Sequence, residues 1–214
     1  MQEKSISIKI TLLGDSGVGK SSIILRYNLN TFQEDFHSTN GANYTQKKIN
    51  INDINYQLDI WDTAGQEKYR SLGRNFYRDA YIVILVYDII RKDSFDNLKN
   101  IWYPELLKYG EKFKILAVVG NKCDRYEEET VNEDEGRAFA NEIKAIFVTT
   151  SAKTGNNIKY LFYTLIDLYI KPDFQDNIST EKVKRRGSCK IKKNTKEEEK
   201  EKETEKEKKK KNCC

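Results

Sequence analysis

Gly14-Asp15-Ser16-Gly17-Val18-Gly19-Lys20-Ser21 fits the phosphate-binding loop pattern of glycine, four residues, glycine, lysine and a hydroxyl residue. The apolar run Ile6, Ile8, Ile10, Leu12, Leu13 before it reads as a strand, and Ser22 to Tyr27 after it reads as a helix, the order such a loop requires. Gly14, Gly17 and Gly19 let the backbone turn so that N–H groups face inward, while the new helix adds its positive dipole end. The phosphate-binding candidates are therefore Asp15, Ser16, Gly17, Val18, Gly19, Lys20, Ser21 and Ser22. Lys20 reaches the outer phosphates, and the Ser21 hydroxyl completes the shell of a Mg²⁺ ion that shares its site with them. The plainer reading, a glycine turn opening any helix, is made rare by the flanking elements.

The chain has 214 residues and a net charge of +5, but the charge is unevenly spread. Lys171 to Cys214 hold 16 Lys or Arg against 10 Asp or Glu, which leaves residues 1–170 at −1. The basic character thus belongs to the tail, and the folded part gives no reason to expect a nucleic-acid face. The longest apolar run, Tyr81 to Tyr87, is strand-sized, so neither a signal peptide nor a membrane span is expected. Cysteines at 123, 189, 213 and 214 suit neither a disulfide framework nor a zinc cluster.

After the first helix, Thr31 to Ala42 is polar and without period, a long loop of the kind that is usually functional. Asn43 to Ile51 and Ile54 to Trp61 alternate apolar and polar side chains around Asn52-Asp53, which predicts a β-hairpin. Tyr81–Tyr87, Lys114–Val119 and Ile146–Val148 read as strands covered by helices on both faces. Asp93 or Ser94 caps a helix running to about Lys108, Asn132 with Glu135 resembles a capping box, and Ile158, Leu161, Phe162, Leu165, Ile166 and Tyr169 line one face of a last helix stopped by Pro172. Strands alternating with helices predict an α/β domain with a mostly parallel sheet and ligand loops at the carboxyl ends of its strands.

Three further segments carry chemistry. Asp62, in Trp61-Asp62-Thr63-Ala64-Gly65-Gln66, follows the hairpin, where its carboxylate can hold Mg²⁺ through water. Gly65 lets the backbone approach the last phosphate, and the Gln66 amide can orient an attacking water. Asp124, in Asn121-Lys122-Cys123-Asp124, can accept hydrogen bonds from the ring N–H and amino group of guanine. Adenine offers no such donor pair, so the segment favours GTP over ATP. Ser151-Ala152-Lys153 can add a backbone N–H to the guanine oxygen.

These four motifs, in this order and spacing, resemble the Ras superfamily of small GTPases over residues 5–170. The resemblance implies a P-loop NTPase fold of six strands, mostly parallel, with helices on both faces. It also implies Phe32 beside the guanine ring, Thr39 closing on Mg²⁺ and the last phosphate, and catalytic roles for Gln66, Lys20 and Thr39. Ser21, Thr39 and Asp62 would be the metal ligands, with GTP and GDP as substrate and product. Residues 33–42 and 63–77 would be the two switch segments. Gly41-Ala42-Asn43-Tyr44, Leu58-Asp59-Ile60-Trp61, Lys68 to Leu72, Phe76 to Ala80 and Tyr87-Asp88-Ile89 are similar to the Rab branch, and Gly41-Ala42 with Thr45-Gln46 to its Rab5-like subgroup. Tyr44, Trp61 and Phe76 match the aromatic triad that Rab effectors read, whereas Asn40 and Asp79 depart from the branch's usual residues.

The chain ends Asn212-Cys213-Cys214. In Rab proteins such a pair receives two geranylgeranyl groups, and two lipid chains give stable anchoring. Lys208 to Lys211 add attraction to an anionic leaflet. The expected division is a GTPase domain at 1–171 and a disordered Lys/Glu-rich tail at 172–214. The resemblance further implies an exchange factor, a GTPase-activating protein, a GDP-dissociation inhibitor or prenylation escort, and effectors. A monomer is expected on the cytoplasmic face of endomembranes, endosomes among them, with an escorted cytosolic pool. A nucleotide-dependent binding module with negligible hydrolysis is opposed by intact Gln66, Asp62 and Thr39. A nucleic-acid arm is opposed by the tail's interleaved glutamates and its lack of aromatics after Phe174.

Overall fold

The computed structural model of the chain describes residues 5–34, 39, 42–63 and 78–171. Six strands form one sheet: β1 (Ile6–Leu13), β2 (Ala42–Ile51), β3 (Ile54–Thr63), β4 (Ile82–Asp88), β5 (Ile115–Asn121) and β6 (Ile146–Thr150). Their order across the sheet is β2-β3-β1-β4-β5-β6. Among the described residues only the β2–β3 pair is antiparallel; the other four pairings are parallel. The antiparallel pair is the expected hairpin. Asn52 and Asp53 both take positive φ, 52° and 62°, as a two-residue turn matching the strands' twist demands.

The central strand β4 is buried throughout, and its period of two divides it between two cores. Ile82, Ile84 and Val86 join one cluster with α1 (Lys20–Leu29) and the last helix, Ile158–Ile170. Val83, Leu85 and Tyr87 join the other with Phe95, Leu98, Trp102, Leu106 and Phe139. A strand covered on both faces has no polar side to show, which is why its sequence lacks alternation. On the first face the rings of Tyr27 and Phe162 stack at 3.8 Å, pinning α1 to the last helix. Among the described residues no helix is long and apolar enough to cross a membrane.

The second face refines one expectation. The segment expected to be a helix capped by Asp93 or Ser94 and running to about Lys108 is helical from Lys92 to Tyr109 with Arg91 at its N-cap, and it holds a π-helical turn (Leu98–Trp102) between α2 (Lys92–Asn97) and α3 (Tyr103–Tyr109). Pro104 stands just after that turn. It has no N–H to give and its ring crowds the carbonyl four residues back, and beside it the hydrogen bonding shifts by one residue, the Tyr103 N–H reaching the Leu98 carbonyl while the flanking backbone angles stay helical. The next helix, α4 (Glu133–Glu142), starts as expected: the Asn132 side chain accepts from the Glu135 N–H at 2.8 Å. The last helix, α5 (Ile158–Ile170), follows β6. Asn132→Ala removes the α4 cap and is expected to lower the unfolding free energy by about 1 kcal/mol, seen as a lower urea midpoint at unchanged slope.

Candidate functional site

A cavity of about 620 Å³ lies over the carboxyl ends of the strands, with Lys20 and Ser21 at one end and Lys122 and Asp124 at the other. Its walls are the loops that follow β1, β5 and β6, together with Phe32, Thr39 and Thr63. Parallel strands deliver their loops to the same edge, so motifs over a hundred residues apart meet there.

At the first end, the phosphate-loop backbone lies directly on β4. A Cβ on Gly14, whose φ is 145°, would sit 2.1 Å from the Val86 carbonyl oxygen. The loop then starts α1, whose first residue, Lys20, is 5% exposed. Its Nζ donates to the Gly14 carbonyl at 2.7 Å and to the Asp15 carbonyl at 2.9 Å. Burial pulls the Lys20 pKa down to about 8, opposed by the charges of Asp62 and Asp15. Beside it, Ser21 Oγ donates to Asp62 Oδ2 at 2.5 Å and lies 2.9 Å from Thr39 Oγ1, which is 3.3 Å from the same carboxylate oxygen. Burial raises the Asp62 pKa, an effect offset by the Ser21 hydrogen bond and the Lys20 charge.

Asp62 Oδ1 is buried without a hydrogen-bond partner. An orphaned carboxylate oxygen beside two hydroxyls is a hard oxygen set, and it fits a divalent cation reached directly or through water. Lys20 and Asp62 are both pushed toward neutrality by burial. An anionic ligand beside the one and a cation beside the other would supply the missing opposite charges.

At the second end, Asn121 connects the loops. Its Nδ2 donates to the Val18 carbonyl at 2.8 Å, while its Oδ1 accepts from Thr150 Oγ1 at 3.1 Å and from the Ala152 N–H at 3.3 Å. A Cβ on Gly19, at φ 96°, would fall 2.3 Å from Asn121 Nδ2, so glycine is needed there both for backbone and for space. Asp124 Oδ1 accepts from Ser151 Oγ at 2.6 Å, which orients the carboxylate at the cavity. Lys122 takes the left-handed conformation at φ 66° and pairs with buried Asp88 at 2.7 Å.

The structure separates residues that touch the cavity from those that support it. Ser16, Gly17, Gly19, Lys20, Ser21 and Ser22 line it at the phosphate-loop end. Val18 is buried in the core, the Asp15 side chain is bonded to Asn97 and Trp102, and the Ser151 hydroxyl serves Asp124. Ala152 and Lys153 line the base end, though the Ala152 N–H is engaged by Asn121. Arg26 carries no motif, yet its Nε and Nη2 donate to the Ala152 and Lys153 carbonyls at 2.8 and 2.6 Å, fastening that loop to α1. Gln33, Glu34 and Arg125 also line the cavity, and nothing in their spacing marks them.

On the hairpin, Tyr44 and Trp61 face each other across the β2–β3 pair with ring centroids 4.9 Å apart. Tyr44 is 45% exposed, so this pair is surface rather than core. Gly65, Gln66, Phe76, Asn40, Cys213 and Cys214 lie outside the described residues.

With this geometry in place, the comparisons with known proteins are specific. The sequence model of the Ras family matches residues 9–171. The chain belongs to the Ras family. Its relatives are Rab proteins, and it is a Rab-type small GTPase, an enzyme of GTP hydrolysis. Ras-related protein RABF2a of Arabidopsis thaliana is 41% identical over 162 residues, 76% of this chain and 80% of that protein. Ras-related protein Rab-22A of Homo sapiens is 42% identical over 155 residues, 72% and 79% of the two chains. Ras-related protein Rab-1 of Theileria parva is 38% identical over 165 residues, 77% and 75%.

For this Ras-family chain, Asn121→Ala would strand the Val18 carbonyl and the Ala152 N–H together. Nucleotide affinity is expected to fall at least about tenfold, since each buried group left unpaired costs about 1–3 kcal/mol. Competition binding measures it.

Proposed function

We propose that residues 1–171 are the GTPase domain of a membrane-anchored Rab switch and that the 620 Å³ cavity holds GTP or GDP, with the phosphates at Lys20 and the base at Asp124. The observation that carries this is one continuous cavity with a buried ammonium at one end and a hydroxyl-oriented carboxylate at the other. The distance-spanning ligand must be anionic at one end and a hydrogen-bond donor at the other, and a guanine nucleotide is both.

The residues divide the work as follows. Backbone N–H groups of the phosphate loop and the α1 dipole hold the phosphates, and Lys20 adds its charge where burial makes it effective. Phe32, which packs against the first core, flanks the base, and the Lys122 stem and Ala152 enclose it. Asn121 braces the base loops against the phosphate loop. Ser21, Thr39 and Asp62 would hold Mg²⁺. When bound, that ion neutralises charge developing on the outer phosphates. Gln66 orients the attacking water, and Gly65 approaches the last phosphate through its backbone N–H. The switch segments at 33–42 and 63–77 are ordered by the terminal phosphate and released after hydrolysis to GDP and phosphate.

Among the described residues, Arg91 reaches the loop but donates to the Ser16 carbonyl and does not line the cavity. Arg125 does line it but sits beside Asp124, paired with Glu128, at the end away from Lys20. A GTPase-activating protein therefore supplies the transition-state arginine, worth about 10³ to 10⁵ in rate. Effectors read the Tyr44–Trp61 surface together with Phe76. Residues 172–214 tether the domain, with Cys213 and Cys214 carrying geranylgeranyl groups and Lys208–Lys211 favouring an anionic leaflet. An exchange factor and an escort complete the cycle in vesicle-mediated transport, on endosomal membranes as the Rab5-like stretches suggest.

Single-turnover hydrolysis with a Rab-type activating protein tests the enzyme. Gln66→Leu is expected to slow stimulated turnover by about 10²-fold through the loss of water positioning, with GTP affinity retained; an unchanged rate removes Gln66 from the mechanism. Asp124→Asn is expected to weaken GDP binding at least about 10²-fold by removing charged hydrogen bonds and to admit xanthine nucleotide. A competition assay that finds the base preference unaltered would sink the base assignment.

A further inference from the structure

The second residue of the phosphate loop is held by the interrupted helix behind it. Asp15 is 9% exposed. Its Oδ1 accepts from Trp102 Nε1 at 2.8 Å and its Oδ2 from Asn97 Nδ2 at 2.7 Å. Arg91, at the start of α2, donates from Nη1 to the Ser16 carbonyl at 3.1 Å and brings Nη2 to 4.0 Å from Asp15 Oδ2. All three donors come from one segment, Arg91 to Trp102.

Asn97 and Trp102 are five residues apart. On a regular α-helix that spacing turns the two side chains about 140° away from each other, and one carboxylate cannot be reached by both. The π-helical turn over Leu98–Trp102 closes i to i+5 and puts positions five apart on one face. Pro104, two residues beyond Trp102, has no N–H for a bond four residues back, and the Tyr103 N–H before it bonds the Leu98 carbonyl five residues back. The departure from regular helix is therefore what lets both donors grip Asp15.

The grip extends into the site. The Asp15 carbonyl, on the same residue, is one of the two oxygens that hold Lys20 Nζ. With its carboxylate bonded on both oxygens, Asp15 cannot carry its Cα, and the loop with it, away from α2 without breaking charge-assisted hydrogen bonds. We propose that the π turn is a clamp on the phosphate loop, in which Asn97 and Trp102 are positioning residues that act through Asp15 to keep the loop and Lys20 in the nucleotide-holding arrangement. A nucleotide leaves only from a loop that can open, so the clamp sets the GDP release rate. The inference rests on nucleotide binding in the cavity, which GDP retention by the unaltered chain checks separately.

The test is a double-mutant cycle read as dissociation of a fluorescent GDP analogue from the full chain in Mg²⁺ buffer. Trp102→Phe keeps the ring and loses the N–H; Asp15→Ala removes the acceptor. Each single variant is expected to release the analogue roughly tenfold faster, as the loss of one hydrogen bond to a charged group implies. The double variant should release it no faster than Asp15→Ala alone, because a residue that acts through Asp15 has nothing left to act on. Asn97→Ser, run through the same cycle, gives a second route that leaves the indole in place. Release within twofold of the unaltered chain in both Trp102→Phe and Asn97→Ser, or effects that multiply in the double variants as general loosening of the core would make them, overturns the proposal.

Discussion

The structure turns on the burial of one ammonium group. Lys20 is almost wholly out of water, and an unpaired charge in that position would cost more than the domain could bear. Its partners are two carbonyls of the loop that precedes it and the nearby carboxylates of Asp62 and Asp15. Each partner has to be held in turn. Gly14 is held by its contact with β4, Asp15 by Asn97 and Trp102, and Asp62 by the Ser21 hydroxyl. The rest of the site is a series of supports for one buried charge that remains under-compensated, as its lowered pKa records.

That arrangement needs a rigid floor, and the sheet supplies it. The carboxyl ends of β1, β3, β5 and β6 lead into the phosphate loop, Asp62, the Asn121 loop and Ser151. Placing β1 between β3 and β4 puts the phosphate loop in the middle, with Asp62 on one side and the base loops on the other. Asn121 then spans the remaining gap by hydrogen-bonding Val18, Thr150 and Ala152 at once. The hairpin of β2 and β3 lies at the other edge, and its outer face carries Tyr44 and Trp61 away from the chemistry. Ligand binding and surface display thus share β3: Asp62 and Trp61 are neighbours in sequence and point to opposite faces.

Much of this was legible in the chain because the deciding features are local. A glycine-lysine loop between strand and helix, a two-residue turn of Asn52 and Asp53, an Asn132 cap and the 3.6-residue stripe on α5 each declare themselves within a dozen residues. Their agreement in order and spacing made the family visible as well. The helix after β4 shows where local signals stop: a cap at Asp93 or Ser94 and a run to about Lys108 say nothing of the π turn over Leu98–Trp102, beside which Pro104 stands.

By itself, then, the sequence determined the α/β class, the glycine-lysine loop between strand and helix, the Asn121 to Asp124 motif after a strand, and the family, since backbone propensity and motif spacing are properties of short stretches. Only the tertiary structure decided which residues support them. Arg26 reaches carbonyls over 120 positions away, the Ser151 hydroxyl bonds the Asp124 carboxylate, and the Asp15 carboxylate bonds Asn97 and Trp102 at a widened helical turn. Such roles depend on long-range side-chain hydrogen bonds, whose partners are chosen by packing and leave no period or motif in the chain.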